Sequence, residues 1–440
     1  MDENKITSPR TRFSAWNWLA FAVIALLVAE RLALCFRLGW DYTLSSDDLS
    51  YIKSGITFAK TGMITMHNAY PSAQIMPGMT WLIGLFSLIL GEGKALWIGL
   101  KLLWFVFAGL NAWVLYRAVS LFAPRWCGIL AILPLFNPQF AWTDNLILTE
   151  TPFQLCFTAM VYYTLRMGKE QSAVAFALTL VSYMAGLMLK ANIAPYPVFA
   201  LVYLLITGYD RKKLGRQVVL VACAVLLFVA PWSLRNYRQF GAFIPLTYGA
   251  GNPKLLGTYQ GEGWPEDDTL DYKTNVEDVM RQRYAKYYDE NGEVPERYVR
   301  YLNLQADGIK ANYRLKVWAQ RDLKSLLNSY LHLKPMKIMR ETYLEQPELV
   351  PFSDQINPIH SLTKRLTLAA LIFAFLCRRN RLASCFALIN YFWNVFVYAL
   401  NFAYGRYNIS LLTMWYLAMG LGFGALALQI QSWIQKRKTE

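Results

Sequence analysis

The stretch PGMTWLIGLFSLILG, Pro77 to Gly91, decides how this chain is threaded. It is apolar throughout and reads as a helix. At 1.5 Å per residue it reaches roughly 22 Å, short of a hydrocarbon core of roughly 30 Å. Other apolar runs fall at about 16–38, 95–118, 126–142, 152–167, 171–190, 194–208, 216–234, 363–377, 382–400 and 407–428. If 77–91 does not span, every basic cluster falls on one side: the N-terminus with Lys5, Arg10 and Arg12, the Arg117–Arg125 turn, Arg166–Lys169, Arg211-Lys212-Lys213, Arg378-Arg379-Asn380-Arg381 and Gln435-Lys436-Arg437-Lys438. If it does span, all but the first move to the opposite side. The positive-inside rule selects the first arrangement. The expectation is an α-helical polytopic membrane protein with about ten transmembrane helices, both termini cytoplasmic, and 77–91 lying at the outer interface as a juxtamembrane helix.

Composition supports this. Of the 440 residues, 55% are hydrophobic and only 17% charged, too few charges to cover a soluble protein of this length. The net charge of +15 would suit a nucleic-acid binder, but it is parcelled into short clusters between apolar runs, which excludes nucleic acid as the expected partner and leaves the lipid bilayer. The six cysteines form no CxxC pair and lie in or beside apolar runs, as small buried residues do. The basic start leads into a run long enough to span, so it reads as a signal anchor.

Three regions follow: 1–234, a transmembrane module with a first outer loop at 39–94; 235–362, an outer-face, mainly helical domain; and 363–440, C-terminal transmembrane helices with a basic cytoplasmic tail. Within the middle region, 276–289 and 295–334 carry apolar residues at helical spacing.

The outer ends of the spans carry charges that are costly to desolvate. The acids are Asp41, Asp47, Asp48, Asp144 and Glu150; the cations are Lys190, Arg235, Arg238 and Arg406, with Lys101 two turns into its helix. They come from separate helices and meet on one face, which points to a polar cleft at the membrane boundary. Asp47-Asp48 reads either as a solvated cap on a helix beginning near Leu49 or as a carboxylate pair that needs a cation to stay ionised. Glu150 suits a helix start on dipole grounds alone, and Lys190 and Arg406 suit snorkelling anchors. His67, His332 and His360 have no zinc-ligand spacing.

Asp47-Asp48-Leu49-Ser50-Tyr51, followed by Ala59, Gly62 and Pro77, resembles the first outer loop of the GT-C glycosyltransferases, in the branch of the protein mannosyltransferases, the lipid A aminoarabinose transferases and their bacterial relatives. Pro231-Trp232-Ser233-Leu234-Arg235-Asn236-Tyr237 with Phe240-Gly241 and Ile244-Pro245-Leu246 is similar to the bacterial members, and Thr149-Glu150-Thr151-Pro152 and Gly405-Arg406-Tyr407 match in kind and order. The chain departs at Asp48, where Glu is more usual, at Lys101, where many relatives have Arg, and at Asn408-Ile409, where a Pro-containing run is common.

The resemblance implies a GT-C type fold and an inverting transferase. It would move a sugar from a polyprenyl-phosphate carrier to an acceptor hydroxyl on a glycolipid, a cell-envelope glycan or a protein. By the same resemblance Asp47 is the base and Asp48 its helper, or with it the holder of a Mg²⁺ or Mn²⁺ ion. Lys101, Lys190, Arg235 and Arg406 are phosphate contacts, and Tyr51 and Glu150 support them. A bacterial inner membrane, with the site facing the periplasm, is the expected location. A transporter or flippase of lipid-linked sugars is the competing class, and it would favour inverted repeats and midplane charges.

Overall fold

The computed structural model describes residues 14–341, 346–376 and 378–439, so Lys5, Arg10, Arg12 and Cys377 lie outside the described residues. The described chain is helical, with no strand. The helices are α1 Ala15–Leu38, α2 Asp47–Thr61, α3 Gly78–Leu90, α4 Lys94–Ser120, α5 Arg125–Ile132, α6 Pro138–Asp144, α7 Glu150–Glu170, α8 Ala173–Leu189, α9 Tyr196–Ile206 and α10 Arg211–Phe240. A polar segment follows with α11 Gly251–Gly257, α12 Asp278–Arg283, α13 Glu296–Asn328 and α14 Lys334–Arg340. The chain closes with α15 Ser353–Leu376, α16 Arg378–Ala399, α17 Gly405–Ile409 and α18 Thr413–Thr439.

This is a multi-pass membrane protein. Among the described residues, five helical stretches are long and apolar enough to cross a membrane: Ala15–Leu38, Lys94–Ser120, Arg211–Phe240, Asn380–Ala399 and Gly405–Arg437. They cover five of the ten expected runs. Three others are shorter apolar helices, Arg125–Phe136, Ala173–Leu189 and Ala191–Ile206. The run 126–142 breaks because Asn137 caps a new helix, its side chain accepting from the Gln139 N–H. The runs 152–167 and, as far as Leu376, 363–377 lie in α7 and α15; α7 carries Glu150 and Lys169 near its ends, and α15 carries Asp354 in its first turn and Lys364 midway.

Lipid is as apolar as leucine, so close packing and polar contacts hold helices together here more than burial does. α15 lies along α18, where Gly422 is indispensable: any Cβ there would strike the Ala370 carbonyl. α4 and α7 are joined by Asn111 donating to Gln154 (3.0 Å). Gln154 in turn donates to the Ile409 carbonyl (2.9 Å), and Thr158 donates to Thr413 (3.0 Å).

α3 has 13 residues. It packs on α2, with Gly55 against Ile83, and leaves Leu85, Leu88, Ile89 and Leu90 exposed. Its start rests on the Met188 backbone at the end of α8.

In the polar segment the 295–334 pattern becomes α13, continued through a π turn into α14. The 276–289 pattern yields a π turn, Lys273–Glu277, that runs into the short α12, followed by a 3-10 turn at Ala285–Tyr287. Arg314 is fully buried and ties this segment together. It donates to Thr258 Oγ1 (2.7 Å), the Pro265 carbonyl (2.8 Å), the Tyr272 hydroxyl (2.8 Å) and Asp267. The segment covers one end of the bundle. Arg300 donates to Gln74 (2.9 Å), Tyr248 meets Ser72 (3.1 Å), and Gln260 bonds the Ala403 backbone.

Candidate active site

At the covered end, four helix termini converge: the start of α2, the start of α7, the end of α8 and the start of α17. Each carries a charge. Arg406 stands in the middle, with Nη2 at 3.0 Å from Asp47 Oδ2 and Nε at 3.3 Å from Glu150 Oε1. Lys190 Nζ is 3.3 Å from the same Glu150 oxygen. Glu150 is 1% exposed, Lys190 13%, Arg406 16% and Asp47 30%, so the cluster opens at the Asp47 end.

The walls are aromatic. Lys190 Nζ lies 5.3 Å from the Phe153 ring centre and 5.9 Å from that of Tyr407. Tyr398 stacks on Tyr407 with centroids 4.5 Å apart. Tyr51 is buried beside Asp47, Glu150 and Thr149. Burial drives its phenol strongly upward, reinforced by the Asp47 and Glu150 charges.

Local sequence explains the placement. α2 begins because Asp48 organises the turn before it: one carboxylate oxygen accepts the Leu44 N–H (2.7 Å), the other those of Ser46 (3.2 Å) and Leu49 (2.8 Å). Asp47 is then the first helical residue, beside the positive end of the helix dipole. α2 stops at Gly62, whose φ of 70° is the left-handed cap glycine tolerates.

His67 completes the site. Its φ of 61° is unusual for a non-glycine residue, and it turns the ring so that Nδ1 meets Ser50 Oγ (3.0 Å) and Nε2 lies 3.4 Å from Asp47 Oδ1. Burial pushes the Asp47 carboxyl upward, but the His67 hydrogen bond and the Arg406 charge outweigh it and hold the acid well below the usual carboxylate range.

Asp47, Glu150, Lys190, Arg406 and Tyr51 therefore come together at one place. Three other expected site residues do not join them. Asp48 is 1% exposed and spent on backbone amides, so it is a loop organiser. Lys101 is fully buried, and its ammonium donates to the Tyr42 carbonyl (3.1 Å) and the Asn145 carbonyl; it fastens the first loop to the end of α6. Arg235 donates to the Ser72 carbonyl (2.8 Å) and Asn236 (2.9 Å), bracing the second half of that loop. Asp144 is likewise drawn away, paired with Arg31 of α1 at 3.1 Å and accepting from Thr151 at 2.7 Å.

The residues present do not fit a divalent cation. Mg²⁺ or Mn²⁺ wants several convergent oxygens, yet the Asp48 oxygens are taken by N–H groups and those of Asp47 face Arg406 and His67. No group of three or more His, Cys, Asp or Glu able to hold a metal occurs among the described residues. His67 is the site residue that sequence reasoning passed over: a lone histidine 20 positions after Asp47 has no local signature, and only the loop's fold brings it back.

Residues 72–234 match the model of the dolichyl-phosphate-mannose-protein mannosyltransferase family. A search of curated proteins by sequence finds no match. Among solved structures, the chain is similar to the oligosaccharyltransferase AglB of the archaeon Archaeoglobus fulgidus, in complex with an inhibitory peptide and a dolichol-phosphate. The identity is 13% and the TM-score 0.54, over 96% of this chain and 52% of that one. The apo form of the Archaeoglobus fulgidus oligosaccharyltransferase gives 11% identity and a TM-score of 0.53, with 96% and 52% covered. The chain thus spans about half the length of these archaeal proteins. A weaker likeness, to ArnT from Cupriavidus metallidurans bound to undecaprenyl phosphate, has 11% identity and a TM-score of 0.42, over 94% and 78% of the two chains. The likeness to the archaeal structures shows a shared helical fold, and the mannosyltransferase family match covers residues 72–234 of it.

Proposed function

We propose that this protein is an inverting glycosyltransferase that takes a sugar from a polyprenyl-phosphate carrier and passes it to an acceptor hydroxyl at the outer, non-cytoplasmic face of the membrane. The observation that carries the proposal is the Asp47–Arg406–Glu150–Lys190 cluster, which sets one accessible carboxylate against two cations at the mouth of the helical framework.

Asp47 takes the proton of the acceptor hydroxyl. The acceptor oxygen forms its bond to the sugar's anomeric carbon from the side opposite the phosphate, and the carbon–oxygen bond to the phosphate breaks with its electron pair going to the leaving oxygen. The departing lipid phosphate gains negative charge, which Arg406 can grip in bidentate fashion and Lys190 as a point charge. A phosphate is a good leaving group, so no separate general acid is required.

The resting cluster adds a condition. Asp47 and Glu150 balance Lys190 and Arg406 in formal charge, and an Asp47 held this acidic is a poor base. An incoming phosphate competes for Arg406; as Arg406 turns to it, Asp47 loses its counter-ion and becomes more basic. Donor binding thereby prepares the base. Glu150 stays on Lys190 and keeps the cation pair in place.

The test is sugar transfer from a polyprenyl-phosphate donor by the purified protein in lipid nanodiscs. Asp47→Asn and Asp47→Ala, each checked for insertion, are expected to lose about 100-fold or more in kcat. Wild-type turnover in both would remove Asp47 as the base. A bacterial inner membrane with a periplasmic site is the setting we favour, from the sequence resemblance.

A further inference from the structure

The turn that delivers Arg406 is held from outside. α16 ends at Ala399 and α17 begins at Gly405, so residues 400–404 present main-chain groups that lie in neither helix. Buried groups of this kind need partners, and the polar segment supplies them. The Gln260 amide pairs with Ala403 at two points: Nε2 donates to the Ala403 carbonyl (2.9 Å) and Oε1 accepts the Ala403 N–H (2.8 Å). Lys334 Nζ donates to the Asn401 carbonyl (2.8 Å) and to the Gly257 carbonyl (3.1 Å). Lys334 is 1% exposed, and its ammonium sits over the Tyr330 ring, 3.6 Å from the centroid. Contact is this close because residue 257 is glycine: a Cβ there would strike the Asn401 carbonyl oxygen.

We infer that Gln260 and Lys334 are positioning residues for the site, fixing the 400–404 backbone so that Arg406, three residues beyond Ala403, reaches Asp47 and Glu150. Neither residue belongs to the charged cluster; each acts through the turn. The geometric part stands on the hydrogen bonds alone, and its consequence for donor binding rests on the function proposed above. The same polar segment grips the loop that carries His67, through Arg300 to Gln74 and Tyr248 to Ser72. A shift of this segment therefore changes both flanks of Asp47 together.

The test uses the full-length protein in nanodiscs. Gln260→Ala should make the backbone amides of 401–404 exchange with deuterium about tenfold faster, raise the dissociation constant for polyprenyl phosphate and the donor KM by a similar factor, and change kcat less. Gln260→Glu keeps the acceptor for the Ala403 N–H but sets a carboxylate against the Ala403 carbonyl, and should fall between wild type and Gln260→Ala. Lys334→Met should act in the same direction. Lys310→Ala, on the same segment but facing Asp267, should leave all readouts at wild-type values. Unchanged exchange at 401–404 in both Gln260→Ala and Lys334→Met overturns the inference. So does faster exchange with unchanged phosphate affinity, if Arg406→Ala has lost that affinity. Should Arg406→Ala bind polyprenyl phosphate as wild type does, the functional reading fails, and the exchange data alone decide the clamp.

Discussion

Arg406 meets Asp47 at 3.0 Å across 359 residues of chain, joining the first turn of α2 to the last turn before α18. The same guanidinium reaches Glu150. One side chain thus helps, with His67, to hold the proposed base ionised and also holds the carboxylate that retains Lys190. Its removal should be felt in both stability and chemistry.

Arg406→Ala leaves Glu150, 1% exposed, with Lys190 alone. Breaking a buried ionic network from one side typically costs about 3 kcal/mol. Thermal unfolding should show a loss of this order, with smaller losses for the double variant Arg406→Ala with Glu150→Gln than the sum of the singles. Strict additivity would mean that the two residues are not coupled.

Asp48→Asn separates loop building from chemistry. The carboxylate accepts three backbone N–H groups, and an amide cannot accept at both ends. A stability loss of about 1–2 kcal/mol is expected, with turnover per folded molecule kept near wild type. A hundredfold drop in kcat with unchanged stability would return Asp48 to the catalytic machinery.

Lys101→Met removes the tie between the Tyr42 and Asn145 carbonyls. A buried and a half-buried acceptor lose their donor, so stability should fall by about 2 kcal/mol. Polyprenyl-phosphate affinity, measured at a temperature where the variant is folded, should be unchanged. A strong loss of affinity there would place Lys101 on the phosphate after all.

The depressed Asp47 carboxyl gives the site a pH signature. The folded form holds its proton less tightly than the unfolded chain, so Asp47 stabilises the fold above the ordinary carboxylate range near pH 4, and this is lost as pH falls through the depressed value. The difference in unfolding temperature between wild type and Asp47→Asn should therefore be full at pH 6 and shrink on acidification to pH 3. A difference constant over that interval would show that Asp47 is not paired.

Topology is open to direct labelling. Ser72 is buried and bonded to Tyr248, so a cysteine there would be shielded. Asn68 is exposed on the same loop. Asn68→Cys, with the exposed native Cys223 replaced, should react with an impermeant thiol reagent added from outside. Labelling only from the cytoplasmic side would reverse the orientation.

Much of this protein was legible in the sequence because lipid imposes local rules. A span must be a long apolar run, basic residues must collect at its cytoplasmic ends, and a helix in lipid satisfies its own backbone; each is a property of contiguous residues. The odd charges at helix ends, Asp47, Glu150, Lys190 and Arg406, stood out for the same reason. Their sorting did not. Asp47 and Asp48 are adjacent and chemically identical, yet one faces Arg406 and the other closes a turn, because successive residues at a helix start point in different directions. Lys101 and Arg235 look like phosphate contacts until the loops fold over them and claim their hydrogens. His67 and Gln260 carry no signal at all. Their roles come from partners across the loop or in another segment, and only packing the polar segment onto the bundle brings those partners within hydrogen-bond reach.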